Sequence, residues 1–189
     1  MKIKTLFASL LVAGIRLACA DQSYAQLLDQ NGPLGIIGWS SSAPLCQVLP
    51  GSAASFINYS APSSVSFAAN SYGTIGLICN MPGIMNGLTP NDINDVAFTF
   101  SNPNASSGCT ASVQLVDRTT ATPVYSWATP QSTSYNGIWT VNAGSQTIGS
   151  LNAGHTYDVE MYLYRPNSLS GVSHCNPTAY AVFLESFLE

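Results

Sequence analysis

Apolar and polar side chains alternate with a period of two along most of this chain, and that period belongs to extended backbone. Residues 157–164 show it best. Tyr157, Val159, Met161 and Leu163 fall on one face, and Asp158, Glu160, Tyr162 and Tyr164 on the other. Similar alternation runs through residues 53–59, 64–68, 94–100, 109–116, 123–127, 137–141 and 178–186. In the last of these, Tyr180, Val182 and Leu184 are expected in the core. Ile75, Leu77 and Cys79 share a face in one further run. Turn formers separate the runs: Met81-Pro82-Gly83, Asn102-Pro103-Asn104, Asn136-Gly137, Ala153-Gly154, Pro166-Asn167 and Asn176-Pro177. No dozen-residue window carries a helical apolar stripe. Many short strands between regular turns predict an all-β, antiparallel sandwich.

The composition agrees. Charged residues make up 7% of the 189 positions, whereas Ser, Thr and Asn occupy 53. Helix surfaces are normally covered with Glu, Lys and Arg, so a helical bundle is disfavoured. A hydrophobic fraction of 46% supplies a core and argues against a disordered chain. Three of the five basic residues, Lys2, Lys4 and Arg16, lie in the first sixteen positions, leaving Arg118 and Arg165. Without residues 1–25 the chain holds two basic and eight acidic residues, a net charge of −6. Two arginines cannot build the basic patch that nucleic acid requires, so nucleic-acid partners are excluded.

The first residues look like an address. A basic head at Lys2 and Lys4 precedes the apolar run of residues 5–15 and small residues suited to cleavage after Ala20 or Ala25. The run is too short to span a bilayer, which needs about 20 residues, and no other segment does better. The reading is a secretory signal over residues 1–25, with cleavage after Ala25 preferred, followed by one β-sandwich domain over residues 26–189. Export to the periplasm or the extracellular space follows. Cys19 raises the idea of a lipid anchor, but Arg16 stands where a lipoprotein signal wants leucine, so anchoring is disfavoured.

Four cysteines remain past the signal: Cys46, Cys79, Cys109 and Cys175. An even number in an exported domain reads as two disulfides, with three connectivities open. Cys79 closes one core-facing run and Cys109 opens another, so the expected pairs are Cys79–Cys109 and Cys46–Cys175. There is no Cys-x-x-Cys spacing, so no metal is expected.

Residues 151–159 read Leu-x-(Ala/Pro)-Gly-x-x-Tyr-x-Val. This resembles the tyrosine corner of fibronectin type III and immunoglobulin-like sandwiches, and a jelly-roll is the other sandwich open to the chain. The likeness implies that the Tyr157 hydroxyl bonds back to upstream backbone. More loosely, several stretches together resemble small exported bacterial β-sandwich proteins of unknown function. They are Cys79-Asn80-Met81-Pro82, the strand at 95–100, Asn102-Pro103-Asn104 leading to Cys109, the strand at 157–165 and the closing Tyr180-Ala181-Val182-Phe183-Leu184-Glu185. That resemblance implies localisation rather than activity.

No set of residues reads as catalytic machinery, and no cofactor is expected. His155 sits in the corner motif and His174 in a loop beside Cys175; neither has a nucleophile placed for it. Asp158 and Glu160 share one strand face about 7 Å apart, without an opposing wall to make a glycosidase cleft. Asn91, Asp92, Asn94 and Asp95 read as turn capping rather than a calcium loop. Large rings are the stronger clue. Trp127, Trp139, Tyr162 and Tyr164 are the candidate binding residues, with Trp39, Tyr125 and Tyr135 nearby in kind. The function expected is that of a non-enzymatic exported sandwich acting by surface interaction, as a structural or adhesive component. The alternatives are a carbohydrate-binding module using exposed Trp and Tyr, and a pilin-like subunit. Its partners would be a glycan or a protein surface, with self-association possible.

Overall fold

The computed structural model describes residues 35–52, 57–60, 63–81, 90–104, 107–130, 133–142, 148, 151–167 and 175–187. The chain divides into two compact units, Met1–Gln30 and Asn31–Glu189, and every described residue belongs to the second. The signal, both cleavage sites, Cys19 and His174 lie outside the described residues.

Eleven strands appear among the described residues, in chain order: β1 Gly35–Ser42, β2 Gln47–Val48, β3 Ile57–Ser60, β4 Ser64–Phe67, β5 Gly73–Asn80, β6 Asp95–Asn102, β7 Thr110–Asp117, β8 Thr122–Ala128, β9 Tyr135–Asn142, β10 Tyr157–Arg165 and β11 Thr178–Phe187. Two single 3-10 turns, Ala43–Leu45 and Pro90–Asp92, are the helical pieces among the described residues. One sheet runs β3-β4-β11-β6-β9, with β1 also on β11; the other runs β2-β5-β10-β7-β8. Every pairing is antiparallel. The protein is an antiparallel β-sandwich with two disulfides.

The alternation places the core. In the second sheet Val159 sits between Cys79 and Leu115, Met161 between Leu77 and Val113, and Leu163 between Ile75 and Ala111. Facing them from the first sheet are Val65, Phe67, Val96, Phe98, Phe100, Val182 and Leu184, all buried in the same cluster. Burying each such side chain stabilises by about 1.5–3 kcal/mol. Tyr180 does not join them. A bulge between Ala179 and Ala181 shifts the register, so Ala179 takes the inward position opposite Phe100 and Tyr180 is left half-buried.

The disulfides are Cys46–Cys79 and Cys109–Cys175, which corrects both expected pairs. Gln47 pairs with Ile78, so Cys46 arrives directly opposite Cys79. Cys79 lies across from Val159 and Thr110 across from Tyr164, on opposite sides of β10. Cys79 and Cys109 are therefore about six residues apart along β10 and two strands apart across it. That is roughly 20 Å, far beyond the ~7 Å that a disulfide tolerates between Cα atoms. The shared inward face was a correct reading of both cysteines; the sheet simply holds a strand between them.

Candidate functional site

The outer face of the second sheet carries the densest chemistry among the described residues. On β10, Asp158, Glu160, Tyr162 and Tyr164 point away from the core, opposite Val116, Gln114, Ser112 and Thr110 of β7. Gln114 in turn faces Ser126, and Ser112 faces Ala128, on β8. Asp158 and Glu160 are outward, yet 9% and 5% exposed. Arg118, in the turn that follows β7, folds over them. Its Nε donates to Asp158 Oδ2 at 2.5 Å and a terminal nitrogen to Glu160 Oε1 at 2.5 Å. Gln114 Nε2 donates to Glu160 Oε2 at 2.5 Å, and the Tyr162 hydroxyl donates to the same oxygen. Gln114 Nε2 also lies 3.4 Å from the Tyr162 hydroxyl.

This network sets the protonation states. The bond to Asp158 and the two acidic charges raise the Arg118 pKa. Burial pushes the Glu160 carboxyl up, but the bonds from Tyr162 and Gln114 and the Arg118 charge outweigh it, and the net shift is downward. The Tyr162 hydroxyl is pushed up to about 12 by burial and by Glu160. Glu160 is thus held ionised and lacks the proton that a general acid must deliver.

Tyr162 is also placed by what is absent opposite it. Its partner on β5 is Gly76, where an added Cβ would stand 3.0 Å from Leu49 Cδ1 and 3.2 Å from Tyr162 Cε1. The ring therefore lies close over the β5 backbone, against Leu49. Beside it a shallow cavity of about 230 Å3 is lined by Ser112, Gln114, Ser126, Trp127 and Tyr162 among others.

The four aromatic residues expected to bind fall into two groups. Tyr162 is half-buried and Tyr164 is 42% exposed, and both lie on this outer face. Trp127 and Trp139 instead belong to a ring cluster at the sandwich edge. Phe100 packs on Trp127 at 5.3 Å and on Tyr135 at 5.0 Å, and Tyr135 meets Trp139 edge-on at 5.7 Å. Trp139 is 49% exposed, and its indole N–H is spent on the Asn136 carbonyl at 2.8 Å. Trp127 is half-buried there and also lines the cavity. Trp39 is half-buried against the core, and Tyr125 is buried in it.

Tyr157 accepts a hydrogen bond from the Asn152 N–H at 2.7 Å and donates to the Asn152 carbonyl at 3.3 Å. His155 of the same turn bonds Asp117 Oδ2 at 2.6 Å, while Asp117 Oδ1 accepts from the N–H groups of Thr119 and Thr120. Burial raises the Asp117 pKa and these bonds overcome it, for a net lowering. The pair ties the β7–β8 turn to the corner. Asp95, the first residue of β6 and the last of the acidic stretch, is buried opposite Glu185 in the β6–β11 ladder, and among the described residues no three potential metal ligands converge.

No protein-family model matches the chain, and no curated protein matches it. Among solved structures it is similar to a mutant of Xylanase10C from Cellvibrio japonicus in complex with xylopentaose, at 14% identity and a TM-score of 0.41. The match covers 82% of this chain and 29% of that one, so the chain spans under a third of the xylanase. It is also similar to a Family 11 carbohydrate-binding module from Clostridium thermocellum in complex with a β-1,3-1,4-mixed-linked tetrasaccharide. There the identity is 11%, the TM-score 0.35, and the coverage 84% of this chain and 90% of that one.

Proposed function

We propose that this chain is a non-catalytic, exported binding module that holds carbohydrate on the outer face of its second sheet. The carrying observation is Tyr162, a ring fixed between Leu49 and a charged network and bordering a cavity edged with hydroxyl and amide groups. A sugar needs an apolar ring face to stack on and several polar groups to hold its hydroxyls. A ring already fixed in place loses little entropy on binding. Two disulfides and the basic-apolar start of the chain support export. The ionised, arginine-clamped Glu160 supports a binding rather than a hydrolytic role.

Affinity electrophoresis in gels containing soluble polysaccharides tests this. The wild type is expected to be retarded by at least one glycan. Tyr162→Ala should lose about tenfold or more in affinity, and Trp139→Ala should bind as before. Tyr162→Phe should keep the stacking ring and lose less. Free migration of the wild type through every glycan would end the reading.

A second reading, protein–protein contact, is favoured by the edge strand β9. It pairs with β6 alone among the described strands, carries no charged residue, and exposes Ile138 at 57% and Trp139 at 49%. Strand exchange of the pilin kind fits less well, because β11 already lies in the sheet between β1 and β6.

A further inference from the structure

We propose that β9 is a self-pairing edge: two copies of this chain join β9 to β9, antiparallel, into a two-fold dimer whose first sheets run on as one. This rests on the protein-contact reading of β9 and commits it to one partner. It is independent of the carbohydrate reading, because β9 lies in the first sheet and Tyr162 in the second.

An edge strand shows a row of N–H and C=O groups to whatever lies beside it. Folded chains ordinarily guard such rows with short strands, proline, charge or a bulge. The other edges among the described strands carry such guards. β2 has two residues and β3 four. β8 holds Pro123, and the ladder of β1 is broken between Ile37 and Trp39. β9 is eight residues long and holds neither proline nor a charged residue. From Trp139 to Asn142 it runs unbroken beside Ala97–Phe100 of β6, and its irregularity is confined to the Tyr135 end. Alternate residues along that run turn N–H and C=O away from β6. Ile138, 57% exposed, and Trp139, 49% exposed, add apolar surface on the two faces of the strand.

Charge identifies the partner. No Asp, Glu, Lys or Arg stands between Arg118 and Asp158, a stretch that supplies both β8 and β9. These strands flank the same side of the sandwich, since Trp127 of β8 and Tyr135 of β9 both pack on Phe100. A foreign partner is ordinarily steered and oriented by charge of opposite sign, and this side offers none. Two copies of it meet without like-charge repulsion. Elsewhere Asp95, Asp117, Asp158, Glu160 and Glu185 are buried within their own fold. A two-fold axis perpendicular to the sheet pairs identical strands antiparallel, with inward residues beside inward and outward beside outward. With the axis near Ile138 and Trp139, the apolar side chains of one copy cover those of the other. Both β9 edges are then used, so this contact stops at two copies.

Sedimentation velocity of the oxidised protein, from low to high micromolar concentration, tests this. A monomer–dimer equilibrium with no larger species is expected. Ile138→Lys and Ile138→Glu should each weaken the dimer about tenfold or more, because an apolar contact is lost and like charges face each other across the axis. An equimolar mixture of the two variants should dimerise again. Leu45→Lys, at an exposed leucine in the turn between β1 and β2, should leave the dimer as it is. Hydrogen exchange reads the unaltered chain: amides of residues 135–142 should slow as concentration rises. A dimer indifferent to both Ile138 substitutions, growth past the dimer, or a monomer at every concentration overturns the proposal. In a monomer, exchange separates the two readings. Fast β9 amides leave the edge open to a different protein and remove self-pairing alone. Amides protected at every dilution mean a closed edge, and the protein-contact reading falls as well.

Discussion

Removing the disulfides one cysteine at a time gives the most quantitative test of this architecture. Cys46–Cys79 closes a separation of 33 residues and Cys109–Cys175 one of 66. In the chain-entropy model, loops of these sizes stabilise the fold by about 3.7 and about 4.3 kcal/mol. The second loop is twice the first, so the difference is the ~0.6 kcal/mol of one doubling. Cys→Ala variants are unfolded in urea under oxidising conditions and compared by free energy at a common denaturant slope. Cys46→Ala and Cys79→Ala should cost nearly the same, and their double variant little more, because the pair acts as one unit. Cys46→Ala combined with Cys109→Ala should instead add, to about 8 kcal/mol, a loss as large as the whole stability of many such domains, about 5–15 kcal/mol. Strong coupling between Cys79 and Cys109, or a peptide joining them in the digested, unreduced protein, would refute the register from which the pairing is argued.

How much the sequence disclosed follows from which interactions are local. Strands with a strict period of two were legible almost to the residue, β10 and β7 above all, because alternation depends on neighbours in the chain. β1 and β2 were not. β1 reads Gly-Ile-Ile-Gly-Trp-Ser-Ser-Ser, without alternation, and is a strand because β11 offers it an edge. The disulfide pairing failed for a related reason: face follows from sequence, but which strands are neighbours does not. The same holds for the site. Tyr162 and Tyr164 were visible as outward rings on β10. Gln114, Arg118 and Gly76, which fix Tyr162 and its carboxylate, come from other strands and turns and meet it through pairing alone. Gly76 did leave a trace, since a glycine within a strand marks a close approach. Trp127 and Trp139 looked equivalent to the tyrosines in sequence, and their place in an edge cluster reflects the packing of two sheets rather than any local pattern.

Tyr157→Phe keeps the buried ring and removes both bonds to Asn152; a loss of about 1–2 kcal/mol in urea unfolding is expected, and an unchanged midpoint would remove the hydroxyl from the account. Gly76→Val crowds Leu49 and the Tyr162 ring, so it should weaken glycan retention while thermal unfolding stays cooperative. Glu160 has a net lowered pKa in the fold, so its network stabilises at neutral pH and that gain is lost as pH falls through the carboxylate range. Arg118→Gln should flatten that acid limb of the stability curve, read from melting temperatures between acid and neutral pH. Glu185 behaves with the opposite sign. Burial, and then Asp95 across the ladder, push its carboxyl up to about 7. Between the ordinary carboxylate range and pH 7 the folded chain therefore holds a proton that the unfolded chain has lost, and stability must fall as pH rises through this window. Glu185→Gln removes the ionisation but keeps the shape, so the variant should gain stability over the wild type at pH 8 and differ little from it near pH 4. If the two proteins melt in parallel across the whole range, Glu185 does not carry a proton in the fold, and the buried Asp95–Glu185 pair is solvated or neutralised by another group.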